Sequence, residues 1–154
     1  MPRFTIPFTK TGIDKITKEY EDLLSKRPDI VKELTIARDM GDRSENAAYK
    51  GARRKLSSTD SRLRFLKKIV EHAKVVVPTQ TNYIEIGSIV TVSNGNSDII
   101  FHIVGEYEAD PMEKRLSYKS PVGSALLRRK VGETVKILIP TGTIEYRILE
   151  ITVG

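Results

Sequence analysis

Apolar and small residues recur at alternating intervals of three and four through most of the first half of the chain. The first run occupies Ile13, Ile16, Tyr20, Leu23, Ile30, Leu34 and Ala37. The second run occupies Tyr49, Ala52, Leu56, Thr59, Leu63, Leu66, Val70 and Ala73. A seam of this kind, sustained over several heptads, is typical of coiled-coil helices. Because only a few residues separate the runs, the pattern predicts two helices that fold back antiparallel and pack seam to seam.

The first helix contains one interruption of its seam. Arg27 stands at a seam position and is followed by Pro28, which removes a backbone hydrogen bond from a helix interior, so the sequence predicts a kink or a break there. Thr11 is the predicted N-cap of this helix. Each helix can bury only one stripe, and the hairpin therefore needs an anchor from the rest of the chain.

The second half of the chain has the pattern of a small sheet. Short β-type runs are predicted at Ser88–Ser93, Asp98–Val104, Arg115–Lys119, Thr134–Pro140 and Thr143–Val153. Ser120 and Pro121 are a typical cap and first residue for one short helix over Val122–Leu127. The predicted fold class is α+β, with an N-terminal antiparallel helical hairpin over residues 1–77 and a small antiparallel-sheet domain over residues 78–154.

Composition and charge exclude several classes of protein. The absence of cysteine excludes disulfide frameworks, cysteine-containing zinc sites and thiol catalysis. No apolar run reaches the roughly 18 residues that a membrane span needs, and no secretory signal opens the chain, so we expect a cytoplasmic protein with no membrane partner. The positive net charge of +6 comes from residues 26–74, which contain 14 Lys and Arg residues and only 7 Asp and Glu residues. This excess predicts an anionic partner.

Two carboxylates, Asp42 and Glu45, stand three residues apart where the second helix begins. One interpretation is a capping box, in which Asp42 or Ser44 caps the helix and Glu45 reaches back to the backbone. The other is a pair of hard oxygen donors for Mg²⁺, which typically takes one or two carboxylates together with a phosphate. Two carboxylates alone would bind Mg²⁺ weakly, so such a tip would complete a metal site supplied mainly by a partner.

The segment from Gly41 to Tyr49, GDRSENAAY, resembles the tip motif of the bacterial transcript cleavage factors of the GreA/GreB family. The resemblance extends along the whole chain. It includes PFTKTG at residues 7–12, RPDI at 27–30, IVG at 103–105, SP at 120–121 with ALL at 125–127, and VGE at 131–133.

The resemblance implies a coiled coil followed by a domain similar to an FK506-binding protein, which docks on RNA polymerase at its secondary channel. The coiled coil would enter the channel, and Asp42 and Glu45 would help to hold an Mg²⁺ ion shared with the polymerase. Ser44 would orient water or a phosphate oxygen. The expected outcome is stimulated cleavage of backtracked nascent RNA by the polymerase, in which this protein, expected to be a monomer, is not itself an enzyme.

Basic side chains follow the predicted tip, and they have two interpretations. Arg43, Lys50, Arg53 and Arg54 form a candidate patch for the 3′ end of the extruded RNA. They are otherwise ordinary flanking charges that solubilise a coiled coil and pair with the first helix. Two other functions also remain open. One is a secondary-channel regulator that inhibits the polymerase or modulates initiation, and the other is a structural RNA-binding hairpin in which the carboxylates are dispensable.

Overall fold

The computed structural model describes residues 4–40 and 46–154. The chain forms two compact units, one of residues 14–72 and one in which residues 4–13 join residues 73–154. Two long helices make up the first unit, and a sheet with one short helix makes up most of the second, which confirms the α+β fold class. The predicted division into residues 1–77 and 78–154 stays a prediction.

The first unit is an antiparallel helical hairpin. Its helices are α1, Lys10–Asp39, and α2, Ala47–His72. The side chains that join them run in opposite order along the two helices: the hydrogen-bonded partners are Glu19 with Arg62, Arg27 with Asp60, Glu33 with Lys55, and Ala37 with Asn46. Every residue of the predicted seam is buried or half-buried, so the heptad pattern predicted the packing face correctly.

Helix α1 differs from the sequence prediction at two points. It is not broken at Pro28, so only the predicted kink stays a prediction, and its N-cap lies two residues before Thr11. Pro28 lies on the exposed side, where water can satisfy the carbonyl that the proline leaves unpaired. The N-cap is Thr9, whose hydroxyl accepts a hydrogen bond from the Gly12 amide at 3.1 Å and whose carbonyl accepts from the Ile13 amide at 3.0 Å.

The Arg27 and Asp60 side chains explain how a charged residue occupies a seam position. Arg27 donates from Nε to Oδ1 of Asp60 at 2.6 Å and from Nη2 to Oδ2 at 3.2 Å. This paired geometry matches the guanidinium to both oxygens of the carboxylate. The hydrogen bonds from Arg27 hold the pKa of Asp60 below its ordinary value. The ion pair therefore links the two helices at the point where the apolar seam is interrupted.

The second unit contains a five-stranded sheet in the spatial order β5-β4-β3-β7-β6. Its strands are β3, Ser88–Ser93; β4, Asp98–Val104; β5, Arg115–Ser117; β6, Thr134–Ile139; and β7, Gly142–Val153. All neighbouring pairs are antiparallel except β4 and β5, which are parallel. The bounds of β3 and β4 match the predicted strands. Alternating residues of the strands form the core together with Leu126 of α3, Pro121–Leu126.

Helix α3 begins as its sequence predicts. The Ser120 hydroxyl accepts a hydrogen bond from the Gly123 amide at 3.0 Å, and Pro121 occupies the first helical turn, where a missing amide costs nothing. The turn between β3 and β4 consists of residues 94–97, and Asn94 Oδ1 stabilises it by accepting hydrogen bonds from the amides of Asn96 and Ser97.

A second, two-stranded sheet was not predicted from the sequence. Strand β1, Ile6–Phe8, pairs in parallel with β2, Ala73–Val75. Next to β1, the Glu108 carboxylate accepts hydrogen bonds from the Thr9 amide at 2.7 Å, from the Gly105 amide at 3.1 Å and from Arg115 Nη2 at 2.9 Å. The Thr9 hydroxyl also donates to it. The Glu108 side chain is only 3% exposed, so these bonds attach residues 4–13 firmly to the second unit.

Candidate functional site

The predicted tip lies between the two helices. Asp42, Arg43, Ser44 and Glu45 fall outside the described residues, so their predicted roles stay predictions. The structure describes the chain again from Asn46, and the residues that follow it form the first turns of α2. The described part of the candidate site therefore consists of Asn46 and the exposed residues at the start of α2.

Asn46 joins the two helices where they approach the tip. Its Oδ1 atom accepts a hydrogen bond from the Tyr49 amide at 3.1 Å, which is the geometry of an N-cap. Its Nδ2 atom donates to the carbonyl of Ala37 in α1 at 2.7 Å. One half-buried side chain thus caps α2 and fastens it to the last turns of α1. The sequence analysis missed this role, although asparagine before two alanines is a typical start of a helix.

The described cap of α2 is not itself a capping box. A capping box needs a Glu or Gln three residues after the N-cap, and that position is occupied by Tyr49. Glu45 instead precedes the N-cap in sequence. Because Asn46 caps the helix, no carboxylate of the tip motif is required for that purpose. Both interpretations of Asp42 and Glu45, as capping groups and as metal ligands, therefore stay predictions.

A basic groove follows the cap on the exposed side of α2. It is lined by Lys50, Arg53, Arg54 and Ser57, all of which are exposed. The three basic residues are spaced three and four apart, so their side chains project from one helical face. The sequence analysis identified the three cations but not Ser57, whose hydroxyl adds a neutral hydrogen-bonding group to the groove.

Some cations of α2 form ion pairs with carboxylates of α1, and others form none among the described residues. Lys55 Nζ lies 3.3 Å from Glu33 Oε2, and Arg62 Nε lies 2.7 Å from Glu19 Oε1, so these two cations pair with α1. Within the described ranges, Lys50, Arg53 and Arg54 form no ion pair with a carboxylate. Pairing with α1, one part of the flanking-charge interpretation, is therefore observed for Lys55 and Arg62. For Lys50, Arg53 and Arg54, solubilising charge and an RNA patch both stay predictions.

Exposed apolar residues lie beside the Glu33 and Lys55 ion pair near the end of α1. The exposed fractions of Ile36 and Met40 are 53% and 72%. They line a shallow depression with Ala48, Gly51 and Ala52. A Cβ atom added at Gly51 would meet no atom within 4 Å, so packing among the described residues does not require a glycine there.

No group of three His, Asp or Glu residues is placed to hold a metal ion in residues 4–40 and 46–154. His102 lies on β4. Its Nδ1 atom lies 3.1 Å from Arg115 Nη1, and burial together with the nearby guanidinium lowers the pKa of the imidazole. In the same described ranges, neither long helix is apolar enough over its length to cross a membrane.

Comparison with known proteins matches both halves of the chain to one family. Residues 6–75 match the N-terminal model of transcription elongation factors, and residues 79–153 match the C-terminal model of the transcription elongation factors GreA/GreB. GreA of Clostridium novyi is 39% identical over 150 residues, covering 94% of each chain. GreA 1 of Lactiplantibacillus plantarum is 34% identical over 145 residues, covering 93% of each.

Further relatives match along their whole length. GreA of Thermomicrobium roseum is 36% identical over an alignment 155 residues long, which covers 98% of this chain and 99% of that protein. Among solved structures, GreA factor homolog 1 (Gfh1) of Thermus thermophilus matches with a TM-score of 0.45 and 22% identity, covering 96% of this chain and 99% of that one. The two family matches and the identity to several GreA proteins lead to one conclusion: the chain belongs to the GreA/GreB family of transcription elongation factors.

Proposed function

We propose that this elongation factor stimulates cleavage of backtracked nascent RNA by RNA polymerase, with the tip of the hairpin completing the polymerase active site. The observation that carries the proposal is the basic groove of Lys50, Arg53 and Arg54, whose cations have no carboxylate partner among the described residues. The groove begins one residue after Tyr49, the last residue of the tip motif. A cationic surface beside an acidic tip suits a reaction in which an RNA strand and a metal ion meet.

The carboxylates of Asp42 and Glu45 are suitable for Mg²⁺, which prefers hard oxygen ligands. Two carboxylates supply only part of its octahedral coordination, so the remaining ligands must come from water, RNA and the polymerase. When bound, the metal stabilises negative charge on the scissile phosphate. We assign to Asp42 and Glu45 the role of metal ligands shared with the polymerase. Ser44 would hold a water molecule or a phosphate oxygen by a hydrogen bond.

The cap at Asn46 supports this assignment. Since the Asn46 side chain already satisfies the Tyr49 amide, the helix can keep its first turn while the carboxylates serve another purpose. The second hydrogen bond of Asn46, to the Ala37 carbonyl, fixes the start of α2 against α1. A tip that acts inside another protein needs such a rigid base, because a ligand misplaced by about 1 Å can cost a hundredfold in rate.

The basic groove is proposed to bind the 3′ segment of the extruded RNA, together with Arg43. Guanidinium and ammonium groups bind the phosphate backbone without regard to sequence, and the interaction weakens as salt increases. A sequence-independent contact suits a factor that acts wherever the polymerase halts. The proposal places the protein in the cytoplasm as a monomeric partner of RNA polymerase that has no turnover of its own.

The decisive experiment uses purified RNA polymerase halted in a backtracked complex, with Mg²⁺ and this protein. We expect release of a short 3′ fragment and a shortened transcript. Asp42→Asn and Glu45→Gln should each reduce the stimulated rate about 10²-fold, as removal of one charge-stabilising group does in other active sites. Asp39→Asn is the matched control: it removes an exposed charge at the end of α1, close to the tip in sequence, and should leave the rate unchanged.

Different outcomes identify the competing functions. If both tip variants cleave as fast as the unaltered protein, the carboxylates are dispensable and the proposed mechanism is wrong. Slower elongation without cleavage would instead indicate an inhibitory secondary-channel regulator.

The groove is tested separately with Arg53→Glu and Arg54→Glu, which should weaken crosslinking of the RNA 3′ end. Arg64→Glu, at an exposed position further along α2, is the control. Crosslinking that survives both reversals would remove the groove from the proposal. Loss of RNA binding in these variants together with dispensable carboxylates would favour the structural RNA-binding hairpin.

A further inference from the structure

The turn between β3 and β4 contains an Asn-Gly pair whose side-chain chemistry the proposed function does not use. The whole turn is exposed. Asn94 Oδ1 accepts hydrogen bonds from the amides of Asn96 and Ser97, both at 2.9 Å. The Gly95 amide donates to Ser93 Oγ at 3.2 Å. The side chain of Asn94 is therefore folded back over the main chain that follows it.

These contacts activate the side-chain amide of Asn94 toward attack by a nucleophile. Two N–H donors at 2.9 Å from one carbonyl oxygen match the arrangement that stabilises the negative charge of a tetrahedral intermediate. The Nδ2 group of Asn94 forms no hydrogen bond with any described residue, so it can leave into water. The oxygen of this amide is thus held and polarised while its nitrogen is free.

The Gly95 nitrogen is the nucleophile next to this amide in the chain. The hydrogen bond from the Asn96 amide to Asn94 Oδ1 closes a ring of atoms that contains both the Asn94 Cγ atom and the Gly95 nitrogen, which keeps the two close together. Gly95 is left-handed, with φ of 94°, and a Cβ atom added there would meet no atom within 4 Å. No side chain therefore obstructs the formation of a cyclic imide.

We infer that Asn94 is a self-modifying residue, which loses its side-chain amide through attack by Gly95. A bond forms between the Gly95 nitrogen and the Asn94 Cγ atom, and the Cγ–Nδ2 bond breaks. The Gly95 amide proton, which points to Ser93 Oγ, passes through water to Nδ2, and Nδ2 leaves as ammonia. Water then opens the cyclic imide. Cleavage of its bond to Cγ gives aspartate, and cleavage of its bond to the main-chain carbonyl carbon gives isoaspartate.

The products change the turn in two ways. Both add a negative charge close in sequence to Asp98, the first residue of β4. Isoaspartate also inserts a methylene group into the main chain of the turn, and Ser93 and Asp98, which pair on either side of it, would have to adjust. Because β3 is the central strand of the sheet, the modification would weaken strand pairing at one end of that strand.

The other asparagines of the described ranges lack this combination. Asn46 uses both its Oδ1 and its Nδ2 atoms in hydrogen bonds. Asn82 and Asn96 are each followed by a residue that has a side chain, which hinders closure of the imide ring. Asn96 is exposed in the same turn, so the chain contains its own control site.

The inference goes beyond the proposed role of the tip and is tested without RNA polymerase. The full chain is incubated in mildly alkaline buffer, and the loss of each asparagine amide is followed by ion-exchange chromatography and peptide mass spectrometry. We expect Asn94 to convert at least about tenfold faster than Asn96. It should also convert at least about fivefold faster in the folded chain than in the same chain unfolded in urea, where the donors to Oδ1 are lost. The Asn94→Asp variant marks the elution position of one product.

Two variants of β3 test the hydrogen bond of the Gly95 amide. Ser93→Ala removes the acceptor of that hydrogen bond and should slow the conversion of Asn94 about threefold. Thr91→Ala, on the same face of β3 but outside the turn, is the matched control and should leave the rate unchanged.

The outcomes that would contradict the inference are distinct. Equal rates at Asn94 and Asn96, or an equal or faster rate at Asn94 in the unfolded chain, would overturn it, because the folded turn would then not activate the amide. An unchanged rate in Ser93→Ala would overturn the part assigned to Ser93. None of these outcomes depends on Asp42 or Glu45, so a failure here leaves the proposal for the tip unaffected.

Discussion

Replacement of Asn46 by alanine tests whether one side chain supports the tip end of the hairpin. The change removes the acceptor for the Tyr49 amide at 3.1 Å and the donor to the Ala37 carbonyl at 2.7 Å. Loss of an N-cap typically costs about 1 kcal/mol. Loss of the second hydrogen bond adds about 0.5–1 kcal/mol, toward the low end of the usual range because the half-buried site lets water reach the freed carbonyl. We expect Asn46→Ala to lower the free energy of unfolding of the hairpin by about 1.5–2 kcal/mol.

Urea unfolding followed by circular dichroism at 222 nm measures this change, because α1 and α2 contain most of the helical residues that the structure describes. With an ordinary urea dependence for a small protein, the midpoint should fall by about 1 M. Asn46→Ser separates the two bonds, since serine keeps a capping oxygen and lacks the amide donor. It should lose only about 0.5–1 kcal/mol.

Two results would refute the reasoning. A loss below about 0.5 kcal/mol in Asn46→Ala would show that neither hydrogen bond stabilises the hairpin. Equal losses in Asn46→Ala and Asn46→Ser would show that the cap contributes nothing, and the Tyr49 amide would then have another acceptor. If the tip acts as proposed, Asn46→Ala should also slow stimulated RNA cleavage, while Asn46→Ser should slow it less.

Two further predictions concern the stability of α2. Gly51→Ala should stabilise the hairpin by up to about 1 kcal/mol, because the added Cβ meets no atom within 4 Å and alanine favours a helix over glycine; a lower urea midpoint would contradict this. The hydrogen bonds from Arg27 lower the pKa of the Asp60 carboxyl in the folded protein. The stability they contribute is therefore fully present above the ordinary carboxyl pKa of about 3.9. It is lost as the pH falls through the lower pKa of the folded protein. Asp60→Asn should therefore flatten the acid side of the stability profile, measured by urea midpoints from pH 6 to 2, and a parallel profile would refute the assignment.

The sequence predicted those elements whose cause lies in nearby residues. The heptad seam determined the hairpin and its packing face because burial of one helical stripe follows directly from a spacing of three and four. Alternation determined β3 and β4 to the residue, and the pair Ser120 and Pro121 determined the start of α3, since capping uses atoms three residues apart.

Other features depend on partners that are distant in the chain. Strands β1 and β2 pair although nearly 70 residues separate them, and three residues are too few for a recognisable pattern. Strand β5 was predicted from the sequence, but its parallel pairing with β4 was not, because that pairing follows from how the chain returns to the sheet edge. Helix α1 continues through Pro28, beside an Arg27 that meets Asp60 across the hairpin, 33 residues away.

The candidate site likewise has features that the sequence determined and features that only the tertiary structure decided. The sequence by itself determined that two carboxylates and a cluster of cations stand close together between and after the two heptad runs. The family resemblance implied that the carboxylates bind a metal ion, and the cations are a candidate patch for RNA. Only the tertiary structure decided which cations of α2 pair with α1 in residues 4–40 and 46–154. Lys55 and Arg62 face Glu33 and Glu19 across the hairpin, whereas Lys50, Arg53 and Arg54 project from the exposed face of α2. The heptad pattern indicates the side of α2 on which a charge lies. Which carboxylate of α1 stands opposite that charge depends on how the two helices pack, and no local pattern contains that information.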